Sequence, residues 1–211
     1  MRLMDNSVES KSIGDHDWHS KQYVDDWISR DVTRDDERRP ILRQMIEAAP
    51  YARDADIAVL DVGAGYGIVA EEVLIAFPRA RVTLQDYSLP MLDHSRNRLA
   101  RYADRLSFAV ADFHDDDWPA KVGGPFELIV SGLAVHNLHT QAAITAAYRA
   151  INGLLKPGGI FLDYDLAIVR GGIDTHLDWM RGAGFEGVRC TWKDDKAPFA
   201  IMTAVGGATT K

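Results

Sequence analysis

Apolar positions first take on a period at Trp18. Tyr23, Trp27 and Ile28 recur at helical spacing, and Ile41, Leu42, Met45, Ile46 and Ala49 line one face of a second helical run, so one or two leading helices are expected over 16–50. Residues 1–15 are polar and aperiodic and are expected to be flexible. Beyond a turn region at 50–56, the apolar run 57–62 ends at glycines, as a buried parallel strand does. A helix over 68–76 stopped by Pro78 and a strand over 81–86 complete a βαβ unit. The alternation continues with a helix at 89–102, strands at 106–110 and 126–131, a helix at 141–155 closed by Lys156-Pro157-Gly158-Gly159, and a strand at 160–164. This spacing predicts a doubly wound α/β sheet with helices on both faces. The tail differs: a short helix over 175–181 is followed by strands at 185–192 and 198–205, separated by the polar stretch 193–196, which is a hairpin signal.

Composition narrows the setting. The 211 residues, 46% of them hydrophobic, suit one domain over 16–211, with leading helices at 16–50 and the sheet core at 57–211. A net charge of -7 disfavours a phosphate backbone, and Arg34, Arg38, Arg39 and Arg43 are interleaved with Asp35, Asp36 and Glu37, so they read as salt bridges along a helix face. No nucleic-acid partner is expected. The single Cys190 excludes an internal disulfide, and CxxC spacings are absent. No run reaches the roughly 18 apolar residues of a membrane span, and the N-terminus lacks a signal-peptide core, so a cytoplasmic protein without a membrane partner is expected.

The candidate chemistry centres on Asp61-Val62-Gly63-Ala64-Gly65-Tyr66-Gly67. A strand running into these glycines makes a tight turn that lets a ligand approach the backbone at the start of a helix. The dinucleotide fingerprint requires a small residue at position 68, where Ile68 stands, so nicotinamide and flavin cofactors are disfavoured. A phosphate loop would need a lysine after the last glycine; Ile68 and Val69 exclude phosphoryl transfer by that route.

The string VLDVGAGYG resembles motif I of the class I S-adenosylmethionine-dependent methyltransferases. The resemblance extends through DYSLPMLDHSRNRL, VADF, FELIVSGLAVHNL and LLKPGGIFL in the family's order over about 57–165, and GFEGVRCTW and FAIMTAVGG are similar to its sixth and seventh strands. It implies a Rossmann-like, mostly parallel sheet with an antiparallel C-terminal strand, and S-adenosylmethionine as cofactor, released as S-adenosylhomocysteine. It also implies contact from Asp86 to the ribose hydroxyls and from Asp112 to the adenine amino group, with Gly63, Ala64, Gly65 and Ser131 around them. Asp61 either approaches the methionine end or shapes the loop through backbone hydrogen bonds. Tyr87 and Phe113 either flank ribose and adenine or belong to the core.

Methyl transfer is an in-line displacement whose thioether leaving group needs no protonation, so a base is required only for an acceptor that carries a proton. His136, beyond the fourth strand, is the candidate catalytic base, or else braces its loop. Asp163 and Asp165 flank Tyr164 on one side of the fifth strand; Asp163 is the candidate acceptor contact, and no metal is expected there or at His16 and His19. Trp18, Tyr23 and Trp27 are placed either on a lid facing the acceptor or in the core. The fourth strand lacks the Asn/Asp-Pro-Pro-Tyr pattern of amino methyltransferases of nucleic acids and proteins, and Cys190 is poorly placed as a nucleophile. A small-molecule acceptor, oxygen ahead of nitrogen or carbon, is expected, in a monomer or homodimer. A non-catalytic binder of the cofactor, or an enzyme using it for other chemistry, is the alternative.

Overall fold

In a computed structural model, which describes residues 16–138, 140–166 and 171–207, two leading helices precede an alternating core. The segment expected to be flexible, 1–15, and His139 lie outside the described residues. Helix α1 (Lys21–Asp31) begins where Ser20 accepts the Tyr23 N–H. A single 3-10 turn, Val32–Arg34, leads into α2 (Asp35–Glu47), whose first turn holds three acids that favour the positive end of the helix dipole. The core then runs β1 (Ala58–Val62), α3 (Ile68–Ala76), β2 (Arg81–Asp86), α4 (Leu89–Arg98), β3 (Leu106–Val110), α5 (Trp118–Val122), β4 (Phe126–Gly132), α6 (Gln141–Leu154), β5 (Leu155–Asp165), α7 (Gly172–Gly182), β6 (Glu186–Lys193) and β7 (Ala200–Val205).

The seven strands form one sheet in the order β3-β2-β1-β4-β5-β7-β6. Strands β1 to β5 pair in parallel, and β7 is antiparallel to both β5 and β6. Side chains alternate across the sheet. Val59, Leu128, Val130, Leu162 and Ile201 pack under α2 and α3, whereas Leu60, Ile129, Phe161 and Met202 pack with Tyr148 of α6 and Met180 of α7. The chain reverses its direction of winding between β1 and β4, so their carboxyl ends flank a crevice, which is where doubly wound sheets bind ligands.

The structure corrects several sequence expectations. The helix expected over 89–102 ends at Arg98 and passes into a 3-10 stretch, Ala100–Arg105. The fifth strand begins at Leu155, so Lys156-Pro157-Gly158-Gly159 lies within it, at a register shift between Phe126 and Leu128 of β4. The arginines of α2 do not bridge along their own helix. Arg38 pairs with Asp31 of α1 (Nη2–Oδ1 2.7 Å), Arg39 with Glu71 (2.7 Å) and Glu72 of α3, and Arg43 with Glu72 (2.9 Å), so these charges fasten the leading helices to the core.

Candidate active site

The glycine loop is held from below by β2. Gln85 is almost wholly buried; its Oε1 accepts the Gly63 N–H (3.0 Å), its backbone oxygen accepts the Ala64 N–H (2.8 Å), and its Nε2 donates to the Ala111 oxygen (2.5 Å). Asp86 Oδ2 accepts the Gly65 N–H at 2.8 Å, and its Oδ1 accepts the Ser88 N–H at 2.8 Å. Three amides that would cradle a phosphate in other loops are therefore engaged by the protein, and the loop presents a carboxylate instead. Burial pushes the Asp86 carboxyl up to about 6, against three backbone N–H donors that favour its charge. Two glycines fit close approach here. A methyl on Gly63, where φ is +63°, would overlap the Cβ of Ala134, and a methyl on Gly65, where φ is +52°, would meet nothing within 4 Å, which leaves that side open to a ligand. Gly63→Ala is expected to cost roughly 1–3 kcal/mol of stability from the left-handed backbone and the clash together; a melting temperature equal to that of the wild type would contradict this close packing.

Gly63, Ala64, Gly65, Asp86, Tyr87, Asp112 and Phe113 line one cavity of about 500 Å³ at the carboxyl edge of the sheet. Asp112, at the end of β3, accepts the backbone N–H of His114 (2.9 Å) and pairs with its ring (2.8 Å); partial burial opposes its charge, yet these contacts hold the carboxyl below its ordinary range. Burial, with Asp86 and Asp112 nearby, pushes the Tyr87 phenol up to about 12, so the hydroxyl stays protonated and available as a donor.

Asp61 and Ser131, both predicted cofactor contacts, are not on the cavity wall. Asp61 is fully buried under α3, where its Oδ2 accepts the Ala70 N–H at 3.0 Å and its Oδ1 has no partner among the described residues; it shapes the loop–helix junction. Burial pushes its carboxyl from 3.8 up to about 8. Between those values the folded state holds more protons than the unfolded chain, so the stability Asp61 contributes is fully present below the lower value and is lost as pH rises through the upper one. Asp61→Asn keeps the acceptor for Ala70. Its unfolding free energy is expected to decline less than that of the wild type between about pH 5 and pH 8 in denaturant titrations, and parallel declines would contradict a neutral Asp61.

The opposite wall of the cavity grows from the end of β4. Leu133 adopts φ +57°, unusual for a side chain of its size, and its N–H donates to the Tyr164 oxygen at 2.8 Å. This bend brings Ala134 against Gly63 and starts a 3-10 turn, Val135–Asn137, that carries His136 to the cavity. The Asp165 carboxylate grips His136 twice: Oδ2 accepts its backbone N–H (2.9 Å) and Oδ1 meets Nδ1 at 2.6 Å. Asp165 is wholly buried, and the His136 side chain retains 14% exposure. A carboxylate at Nδ1 favours the tautomer with the proton on Nδ1, which leaves the Nε2 lone pair free. Sequence reasoning placed both acids on one side of β5, as found, but chose Asp163 as the acceptor contact; it is Asp165, at the strand end, that meets His136. Asp163 lies one residue pair deeper, opposite Ser131 of β4 and beneath α6, away from the cavity. Burial and the Asp165 charge push its carboxyl well above the usual range.

The leading helices and the segment before them cover part of the cavity. Trp18 and Trp27 line it, their rings edge to face at 5.2 Å, while Tyr23 packs behind Trp18 and does not reach the cavity. Ser88 donates to the Trp18 oxygen (2.5 Å), and His94 pairs with Asp25 (2.7 Å), tying α1 to α4. Sequence reading missed Tyr66, whose hydroxyl donates to Asp35 (2.7 Å) and lies within 3.2 Å of Arg38, so the glycine loop itself is clasped by the leading helices. Among the described residues no group of three or more metal-ligating side chains occurs, and no helix is long and apolar enough to cross a membrane.

Residues 59–159 match a family model described as a methyltransferase domain. The chain is 38% identical over 76 residues to a release factor glutamine methyltransferase of Chlorobaculum tepidum, covering 35% of this chain and 26% of the relative. It is 27% identical over 121 residues to a malonyl-[acyl-carrier protein] O-methyltransferase of Magnetococcus marinus, covering 57% and 40%. It thus spans well under two thirds of either relative's length. An O-methyltransferase family protein from Burkholderia thailandensis superposes with a TM-score of 0.70 at 15% identity, over 92% of this chain and 61% of that one, which shows a shared fold.

Proposed function

This chain belongs, through residues 59–159, to the class I S-adenosylmethionine-dependent methyltransferases, and from that premise we propose that it transfers a methyl group to the hydroxyl of a small-molecule acceptor, with His136 as general base. Asp86, Tyr87, Asp112 and Phe113 would hold the nucleoside against Gly63 and Gly65. The open side of Gly65 and a carboxylate offered where other loops offer amides both fit a ribose diol and disfavour phosphate. When bound there, S-adenosylmethionine supplies an electrophilic methyl group on a sulfonium.

The observation that carries the base assignment is the double grip of Asp165 on His136, with Nδ1 at 2.6 Å. His136 Nε2 takes the acceptor's hydroxyl proton as oxygen attacks, Asp165 stabilises the imidazolium so formed, and the proton then passes to solvent. Trp18 and Trp27 exclude water from the reacting oxygen. A concave cavity of about 500 Å³ partly covered by Trp18 and Trp27 favours a small acceptor over a macromolecular chain. Mass spectrometry of metabolite pools incubated with protein and cofactor tests the reading: it expects a small hydroxylated compound to gain one methyl group. Modification of protein or RNA alone would overturn the small-molecule acceptor, and cofactor binding without transfer to any pool would favour a non-catalytic binder.

A further inference from the structure

Arginines crowd the junction of α2, α3 and α4, and most are neutralised there: Arg38 by Asp31, Arg39 by Glu71 and Glu72, Arg98 by Asp35 and Glu71, Arg101 by Glu71. Arg34 differs. It stands on the cavity wall in the turn between α1 and α2, and among the described residues no carboxylate lies within ion-pair distance of it. The neighbouring acid on that wall, Asp31, is already taken on both oxygens by the Arg38 guanidinium. Arg34 is exposed to solvent while lining the site, and its charge, like that of Arg38, opposes the upward push that burial gives the Tyr164 phenol. Asp194 acts on the same hydroxyl with negative sign, but its Oδ1 accepts the N–H groups of Lys196 (2.7 Å) and Ala197 (3.0 Å) in the hairpin turn, and it is not on the cavity wall. The wall of the same cavity carries apolar and aromatic side chains, Trp27, Leu42, Tyr164, Leu166 and Phe199, with the Phe199 ring stacked on Tyr164 at 5.6 Å.

We propose that this end of the cavity selects an aromatic acceptor bearing a carboxylate, with Arg34 meeting the anion while the ring lies among Trp27, Tyr164 and Phe199. The inference rests on the methyltransferase reading for its reacting hydroxyl, which His136 receives. A guanidinium presents a planar fork that matches a carboxylate bidentately. Aromatic walls suit a flat ring, and an acceptor fixed at both ends is oriented for in-line attack. Arg34 is thus a specificity-determining residue: it offers an acidic acceptor a charge-assisted pair that a neutral analogue does not form.

Calorimetry with para-hydroxybenzoate and its uncharged isostere para-hydroxybenzamide, each with and without S-adenosylhomocysteine, tests this. The wild type is expected to bind the acid roughly 10- to 100-fold more tightly than the amide, Arg34→Met to lose that preference, and Arg34→Lys to restore part of it. S-adenosylhomocysteine affinity, expected to be equal in all three proteins, reports that the variants are folded. Equal affinity of the wild type for acid and amide, a preference that survives in Arg34→Met, or no binding of either probe would overturn the inference. Failure of S-adenosylhomocysteine to bind would instead strike the cofactor reading, and the acid-to-amide comparison made without it still decides the role of Arg34.

Discussion

His136→Ala is expected to lower the rate of methyl transfer by about 10²–10⁴-fold while leaving the affinity for S-adenosylhomocysteine within about twofold. The separation follows from the geometry. The imidazole stands on the β4 side of the cavity, and Asp86 and Asp112, the carboxylates proposed to meet the nucleoside, stand at the ends of β2 and β3. Alanine retains the backbone N–H that donates to Asp165 Oδ2 at 2.9 Å, so the turn keeps its anchor while the proton acceptor is removed. If His136 serves only to brace the loop, turnover, cofactor affinity and melting temperature should fall together. Single-turnover kinetics beside calorimetry distinguishes the two cases.

Asp86→Ala is expected to do the reverse, weakening cofactor affinity by roughly 100-fold or more. The Asp86 carboxylate accepts the Gly65 and Ser88 N–H groups on its two oxygens and is favoured also by the Tyr87 N–H, and of its about four acceptor positions at least one remains for a ribose hydroxyl. The substitution removes those positions and also frees the Gly65 amide, which loosens the loop. The carboxyl, pushed up to about 6, carries its own pH signature: below that value it takes up a proton and accepts fewer hydrogen bonds. Wild-type affinity should therefore decline as pH falls through about 6 and hold steady above about 7. Affinity unchanged down to about pH 5 would indicate that the ligand does not rely on Asp86.

The strand–helix alternation and the glycine loop were legible because they rest on local patterns. The run 57–62 ends at glycines, Pro78 stops a helix, and Ile68 breaks the dinucleotide spacing whatever the chain does elsewhere. Seven of the nine residues singled out for the cofactor line the cavity because parallel strands deliver their carboxyl ends to one edge. The other two, Asp61 and Ser131, fall inside β1 and β4, where side-chain parity points one under α3 and the other toward Asp163. Depth along β5, and not parity, separates Asp163 from the site. Alternation paired it with Asp165, but only the position of the strand end relative to the His136 turn shows which acid reaches the imidazole. The arginines of α2 were misread because their partners on α1 and α3 lie far away in sequence or across a turn. Helix α5 was not foreseen because Asp115, Asp116 and Asp117 ahead of Trp118-Pro119 read as a polar loop, whereas burial of Trp118 against Phe113 sustains the helix.

The central claim is that the cavity under Trp18 and Trp27 binds the nucleoside of S-adenosylmethionine through the Asp86 end of β2. Titrating the protein with S-adenosylhomocysteine in a calorimeter at neutral pH tests it most directly. The account predicts saturable binding at one site per chain, lost in Asp86→Ala and retained in His136→Ala. No binding to the wild type, or equal binding to wild type and Asp86→Ala, would contradict it.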